Sequence, residues 1–171
     1  MNIEIIKLLA KYNSSVNSDM NRIIDTLSPE EWDKNLGGYF KSMHGLCSHL
    51  FIGDQNWLNR FNNIKPFSYY NDSIFDKVYN FSDTPFTTMT EYQEKRQILD
   101  SAFTKMAEEI VDEDLQKILQ YKNMRGVEQN RIFGGVVLHV FNHQTHHRGM
   151  ISLYLEMLGR ENDFSNLVSY V

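Results

Sequence analysis

Six histidines fall in two groups: His44 with His49, and His139, His143, His146 and His147 within nine residues. Imidazole is the commonest protein ligand for divalent transition metals. Two imidazoles four residues apart on a helix share a face, about 5–6 Å apart at Cβ, and can converge on one ion. His139/His143 and His143/His147 both have that spacing, so spacing alone does not choose between the pairs. His146 is turned about 100° from His147 around a helix and reads as a flank or surface residue. A metal site inside a bundle takes ligands from facing helices, and the earlier group offers His49 at the edge of an apolar stripe. His44 lies about 140° away from His49 and reads as a capping or loop residue. The lone Cys47 excludes an internal disulfide and any multi-cysteine zinc motif, and reads as a small buried hydrophobe.

The elements that must position these residues are helical. Ile5, Leu9, Tyr12, Val16, Met20, Ile23 and Leu27 recur every three or four residues, predicting a first helix up to Ser28. Ser28-Pro29-Glu30-Glu31 has the form of an N-cap, an N1 proline and a capping-box glutamate, followed by a short turn through Trp32 and a loop at Gly37-Gly38. A helix from Ser42 to about Phe61 carries Met43, Leu46, Leu50, Gly53, Trp57 and Phe61 on one stripe. Residues 62–88 lack periodicity and form a long connection of the kind that is functional or a crossover. Thr88-Met89-Thr90-Glu91 predicts a capping box opening a third helix with Tyr92, Leu99, Phe103, Met106 and Ile110 inward. Leu115 to Gln129 is expected to form a small irregular hairpin. A last helix places Ile132, Val136, Val140, His143, His147, Ile151, Tyr154 and Leu158 on one seam, with a C-cap at Gly159. The expectation is an all-α, antiparallel four-helix bundle with a long crossover connection, forming one domain over residues 1–171.

Several other residues have a reading near the site. Asn142, Thr145, Asp54 and Asn56 are candidates to orient imidazoles. Arg148 reads first as a surface or interface ion-pair residue and second as a holder of a substrate carboxylate. Trp57 reads as core. Phe67, Tyr69, Tyr70, Phe75, Tyr79 and Phe81 form either a pocket wall or a small satellite core.

Composition narrows the function. The chain has 171 residues and a formal charge of −5, which opposes general nucleic-acid binding. It has no stretch of the ~18 apolar residues a membrane span requires. The opening Met-Asn-Ile-Glu-Ile-Ile has no basic region followed by an apolar one, so a cytoplasmic chain is expected.

The segment from Leu138 to Gly149, with His143-Gln144-Thr145-His146-His147-Arg148-Gly149 at its centre, resembles the signature of the DinB-like (YfiT-like) superfamily, H-x-x-x-H-R-G-Q on the last long helix. The segment Leu36–Leu50, continuing to Trp57-Leu58, is similar to that family's second helix and its approach. The regions around Tyr12-Asn13 and Leu27–Glu31 fit as well, so the resemblance covers nearly the whole chain. It implies a four-helix bundle with a divalent metal, zinc or nickel, held by His49, His143 and His147, with His139 a neighbour. One departure is Met150, where the family often has Gln. The resemblance also implies a homodimer and, from the superfamily's characterised branches, a low-molecular-weight thiol such as bacillithiol or mycothiol as co-substrate. Three histidine ligands leave a coordination position open, as in catalytic zinc sites. The leading expectation is thus a metal-dependent S-transferase or isomerase acting with a small thiol. The alternatives are a non-catalytic, stress-linked metal-binding or interaction module, and a metal-dependent hydrolase. The last is disfavoured because no Glu follows a ligand histidine in an H-E-x-x-H pattern.

Overall fold

The computed structural model describes residues 2–171. Its helices are α1 (Ile3–Ile24), a one-turn α2 (Pro29–Asp33), α3 (Met43–Phe61), α4 (Met89–Glu109) and α5 (Phe133–Met157), and a hairpin, β1 (Ile118–Lys122) with β2 (Glu128–Ile132), precedes α5. Both α1 and α3 pack against both α4 and α5, so the four long helices close around a shared interior. The protein is mostly helical, with one small two-stranded sheet. No helix among the described residues is long and apolar enough to cross a membrane.

The helix boundaries have local causes. The Asn2, Ser42 and Thr88 side chains accept from backbone N–H groups in the first turns of α1, α3 and α4, and Ser28 forms the complete expected capping box with Glu31. The box expected at Thr88 forms only by half. Glu91 reaches one residue further back, accepting from the N–H and hydroxyl of Thr87. Helix α5 ends in a Schellman motif: Gly159 is left-handed (φ 76°), its N–H donates to Glu156, and that of Arg160 donates to Leu155.

Two expectations about the elements need correcting. The hairpin lies three residues later than predicted, pairing Ile118 with Ile132 and Lys122 with Glu128. Its far strand, Glu128-Gln129-Asn130-Arg131-Ile132, is almost entirely exposed and so lacks the alternation that marks a strand. Ile132 therefore belongs to that strand and stands exposed, not on the seam of α5. The expected stripe of α1 holds in part: Tyr12, Val16, Met20 and Leu27 are buried, whereas Leu9 and Ile23 are half buried. Ile5 is exposed, while Ile6, Ala10, Asn13, Asn17, Met20 and Ile24 face the interior. Two of those positions are asparagines, which apolar periodicity skips.

Those asparagines belong to a polar layer across the interior. Arg96 of α4 is fully buried between Asp54 of α3 (2.5 Å) and Asp100 (2.9 Å). Asp100 accepts from the Asn17 amide at 2.8 Å, and Arg148 of α5 donates to the side-chain oxygens of Asn13 and Asn17. Two guanidinium groups thus face two carboxylates, with neutral amides linking them. The desolvation of each charge is offset only by the others. Burial pushes the Asp54 carboxyl up to about 6 against the pull of Arg96, whereas its two carboxylate partners outweigh burial and keep Arg96 charged.

Replacing Arg96 with Leu strands two buried carboxylates. Urea unfolding should show a loss of about 3–5 kcal/mol, whereas Lys7→Ala, which removes an exposed ion pair with Glu4, should leave the curve unchanged within error.

Candidate metal centre

Three of the six histidines converge. One nitrogen each of His49, His143 and His147 lies within 4.8 Å of the others, and the Nε2 atoms of His143 and His147 are 3.0 Å apart. Nitrogens about 2.0–2.1 Å from a common ion stand about 2.9 Å apart at a right angle and about 3.3 Å apart at the tetrahedral angle. The observed separation falls between these limits. The same gap is spanned by a single proton when no ion is shared. Burial, reinforced by the neighbouring imidazoles, pushes His143 down to about 4 and His147 down to about 3, and burial lowers His49 as well. All three are therefore neutral near pH 7, the form in which imidazole binds a metal. The donor set and its spacing fit a divalent ion.

The surroundings hold these rings in place. Gly53, on the inward stripe of α3, makes room for His143. A Cβ there would meet the His143 Cε1 at 3.2 Å. His49 is flanked by Phe40 (centroids 4.6 Å) and by Phe81, which stacks on it at 4.8 Å and 26°. Phe40 also meets His147 edge-on. Phe40 is carried by an unusually constrained loop. Gly37, Gly38 and Lys41 all have positive φ, and the Ser42 N–H closes a γ-turn about Lys41 onto the Phe40 carbonyl at 2.8 Å. The Tyr154 hydroxyl on α5 donates to the Gly37 carbonyl at 2.7 Å. A Cβ on Gly45 would lie 2.2 Å from the Phe40 carbonyl oxygen. The loop is therefore fixed at both flanks: by α5 and by the first turn of α3.

The remaining candidates are placed elsewhere. His139 is exposed and packs edge-on against Trp57, outside the cluster. His146 is exposed, as expected of a flank residue. His44 bonds Asp33 at 2.8 Å and the Phe86 carbonyl at 3.1 Å while stacking on Trp32, which ties α2 and the lead-in to α4 onto α3. Cys47 is fully buried, and burial pushes its thiol up to about 12, so it is chemically inert.

The residues expected to orient the imidazoles do not do so. Asn142 is exposed, Thr145 bonds the Phe141 carbonyl, Asn56 donates to the Tyr79 carbonyl, and Asp54 pairs with Arg96. The buried Nδ1 atoms of His143 and His147 have no hydrogen-bond partner among the described residues, so beyond the contact between their Nε2 atoms packing sets their orientation. Arg148 is buried, not a surface residue; it sits in the polar layer, bonded to Asn13, Asn17 and Thr145. The aromatic cluster divides: Phe67, Tyr69, Phe75 and Tyr79 are buried in the core, while Phe81 is half exposed against His49.

Phe40, Phe81, Gly45 and Tyr154 are the parts of the site that sequence reasoning did not assign. Tyr154 stood on the predicted seam and Phe81 in the noted aromatic cluster. The spacing of Phe40 and Gly45 carries no signal, because their role comes from a loop folding back on a helix.

A family model described as the DinB family matches residues 1–171. The chain belongs to the DinB family. A search of curated proteins gave no match. At the position where this family often has Gln, Met150 is half buried against the hydrophobic core, so an apolar contact replaces an amide. Gly149, the last residue of the DinB-like His-Arg-Gly run, opens onto free space.

Two glycine substitutions separate the constrained loop from the open helix face. Gly45→Ala should cost about 1–3 kcal/mol, because the backbone of Phe40 must move, and should shift the Phe40 loop. Gly149→Ala should stabilise by up to about 1 kcal/mol, through helix propensity alone. Thermal unfolding of the two variants checks both signs.

Proposed function

We propose that this DinB protein is an enzyme in which His49, His143 and His147 hold a divalent ion, zinc or nickel, and a small thiol is transferred or rearranged beside it. We take the four long helices as an antiparallel bundle with residues 62–88 as its long crossover, forming one domain over residues 1–171. The observation that supports the reading most is the convergence of three neutral imidazoles, with no carboxylate in the group, at the edge of an open cleft. A divalent ion there supplies Lewis acidity that favours the thiolate form of a bound thiol.

The chain's own residues do the remaining work. His143 and His147 bring their Nε2 atoms within 3.0 Å of each other, where both would turn a lone pair to a shared ion in place of the proton between them. Phe40 and Phe81 pack against the His49 ring and limit its orientations. Gly53 leaves the gap in which the His143 ring stands. A hydrolase is the second reading: among the described residues no Asp or Glu belongs to the histidine group itself, and the carboxylate of the adjoining cleft is Asp83. A protein that only binds metal is the outcome to exclude.

Two further proposals concern the setting. The chain is cytoplasmic. It forms a homodimer through the outer face of α5, where Leu138, Leu153 and Met157 are exposed around Gly149. Leu153→Arg should convert that dimer to a monomer in analytical ultracentrifugation.

Metal content decides the assignment. His147→Ala should lose the bound metal and His139→Ala should keep it; equal retention would sink the ligand set. With His143 at about 4 and His147 at about 3, both are about nine-tenths neutral or more at pH 5. With His49 lowered as well, metal occupancy should outlast the protonation of free histidine as the pH is lowered from 7, and should be lost by about pH 4, where His143 is itself protonated. Metal-loaded protein should conjugate a small thiol with an electrophile. The absence of metal-dependent conjugation across a broad panel would favour the binding-module reading.

A further inference from the structure

The cleft beside His49 has a volume of about 430 Å³ and a mixed lining of aromatic and polar residues. Its apolar walls are Phe40, Phe81 and Tyr39; its polar lining includes Ser48, Thr84 and Asp83. Phe81 turns one face to His49 and remains half exposed, and Tyr39 is almost fully exposed. Neither Lys nor Arg is among the lining residues. Lys41 stands between Phe40 and Ser42 in sequence but outside the lining. His44 contributes an edge, but both its ring nitrogens are occupied by Asp33 and the Phe86 carbonyl.

Asp83 is the acidic group of this lining, and its charge is not neutralised within the chain. One carboxylate oxygen accepts from the Asn80 N–H at 2.9 Å, which orients the group across a turn. Asp83 takes part in none of the ion pairs formed among the described residues. A carboxylate without an ion-pair partner, in a cleft with aromatic walls and no Lys or Arg in its lining, is chemistry that recognises an ammonium group, through an ion pair and cation–π attraction. The same lining opposes a carboxylate or phosphate, since like charge across a contact is a repulsive element of specificity.

We propose that Asp83 is a specificity-determining residue: the cleft takes an amine-bearing small molecule whose ammonium group pairs with Asp83 while its donor atom reaches the three histidines. This rests on the metal–thiol reading and adds the charge of the substrate's far end. Phe40 and Phe81 line the same cleft as Asp83 and His49, so the middle of the substrate is apolar or neutral.

Cobalt(II)-loaded protein tests the inference without turnover, because a thiolate on cobalt gives a near-ultraviolet charge-transfer band. Three thiols of equal length are titrated: aminobutanethiol, mercaptobutanol and mercaptobutanoate. The ammonium thiol should bind about tenfold more tightly than the carboxylate thiol, the difference expected of one partly screened charge contact, with the hydroxyl thiol between. Asp83→Asn should remove the preference and Asp83→Lys should reverse it, both with unchanged cobalt uptake and far-ultraviolet circular dichroism. Equal affinities in the wild type, or an undiminished preference in Asp83→Asn, overturn the role of Asp83 and leave the metal reading intact. No band with any thiol, despite bound cobalt, overturns the thiol reading and this proposal with it. Should Asp83→Lys fail to fold, Asp83→Asn alone decides.

Discussion

The arrangement of the helices depends on one buried exchange of charge. Arg96 lies between Asp54 and Asp100 in an interior that water does not reach, and Arg148 joins the same layer through Asn13 and Asn17. Charges in such a place tolerate little displacement, since a carboxylate that loses its guanidinium has no solvent to turn to. Each of α1, α3, α4 and α5 supplies at least one member. The layer therefore specifies their mutual register more sharply than apolar packing, which is non-directional. The histidine cluster inherits that register. Asp54 is the residue after Gly53, against which His143 stands, and Arg148 is the residue after His147. The backbone positions that fix the charges also fix the rings.

Most helical boundaries were legible because each rests on a local rule, and so was a histidine pair four apart, though the rule fitted His139/His143 as well as His143/His147. Ser28 with Glu31, Ser42, and Gly159 are signals within one turn, and His143/His147 is a period of four on one helix. The polar layer was not legible. Asn13, Asn17, Arg96 and Arg148 are residue types that ordinarily face water, and only the partner on another helix makes them interior. For the same reason Arg148 was expected at the surface, and the stripe of α1 was drawn one residue away from the line that is most buried. Family resemblance singled out His49, His143 and His147, and the fold brings these three together while leaving His139 against Trp57.

The site is held differently from what general rules for metal-binding histidines suggest. Such rings commonly donate their second nitrogen to a carboxylate or carbonyl. Here the rings of His143, His147 and His49 are set instead by shape: the missing Cβ of Gly53, the two phenylalanines and the loop clamped between Tyr154 and Gly45. Shape-set rings tolerate more rocking than hydrogen-bonded ones. They also receive no added basicity from an anionic partner, which leaves the electron demand of a bound ion less satisfied by the protein and more open to an incoming donor.

The sealed Cys47 has its own consequence. In the thiol chemistry we propose, an accessible cysteine would exchange with the disulfide form of the co-substrate and be capped as a mixed disulfide, releasing one thiol. At the base of α3, among Met43, Leu46 and Leu50, the Cys47 sulfur is fully buried and its ionisation is suppressed. The protein would keep working as the thiol pool oxidised around it, with its supply of reduced co-substrate, and not its own covalent state, setting when it stops.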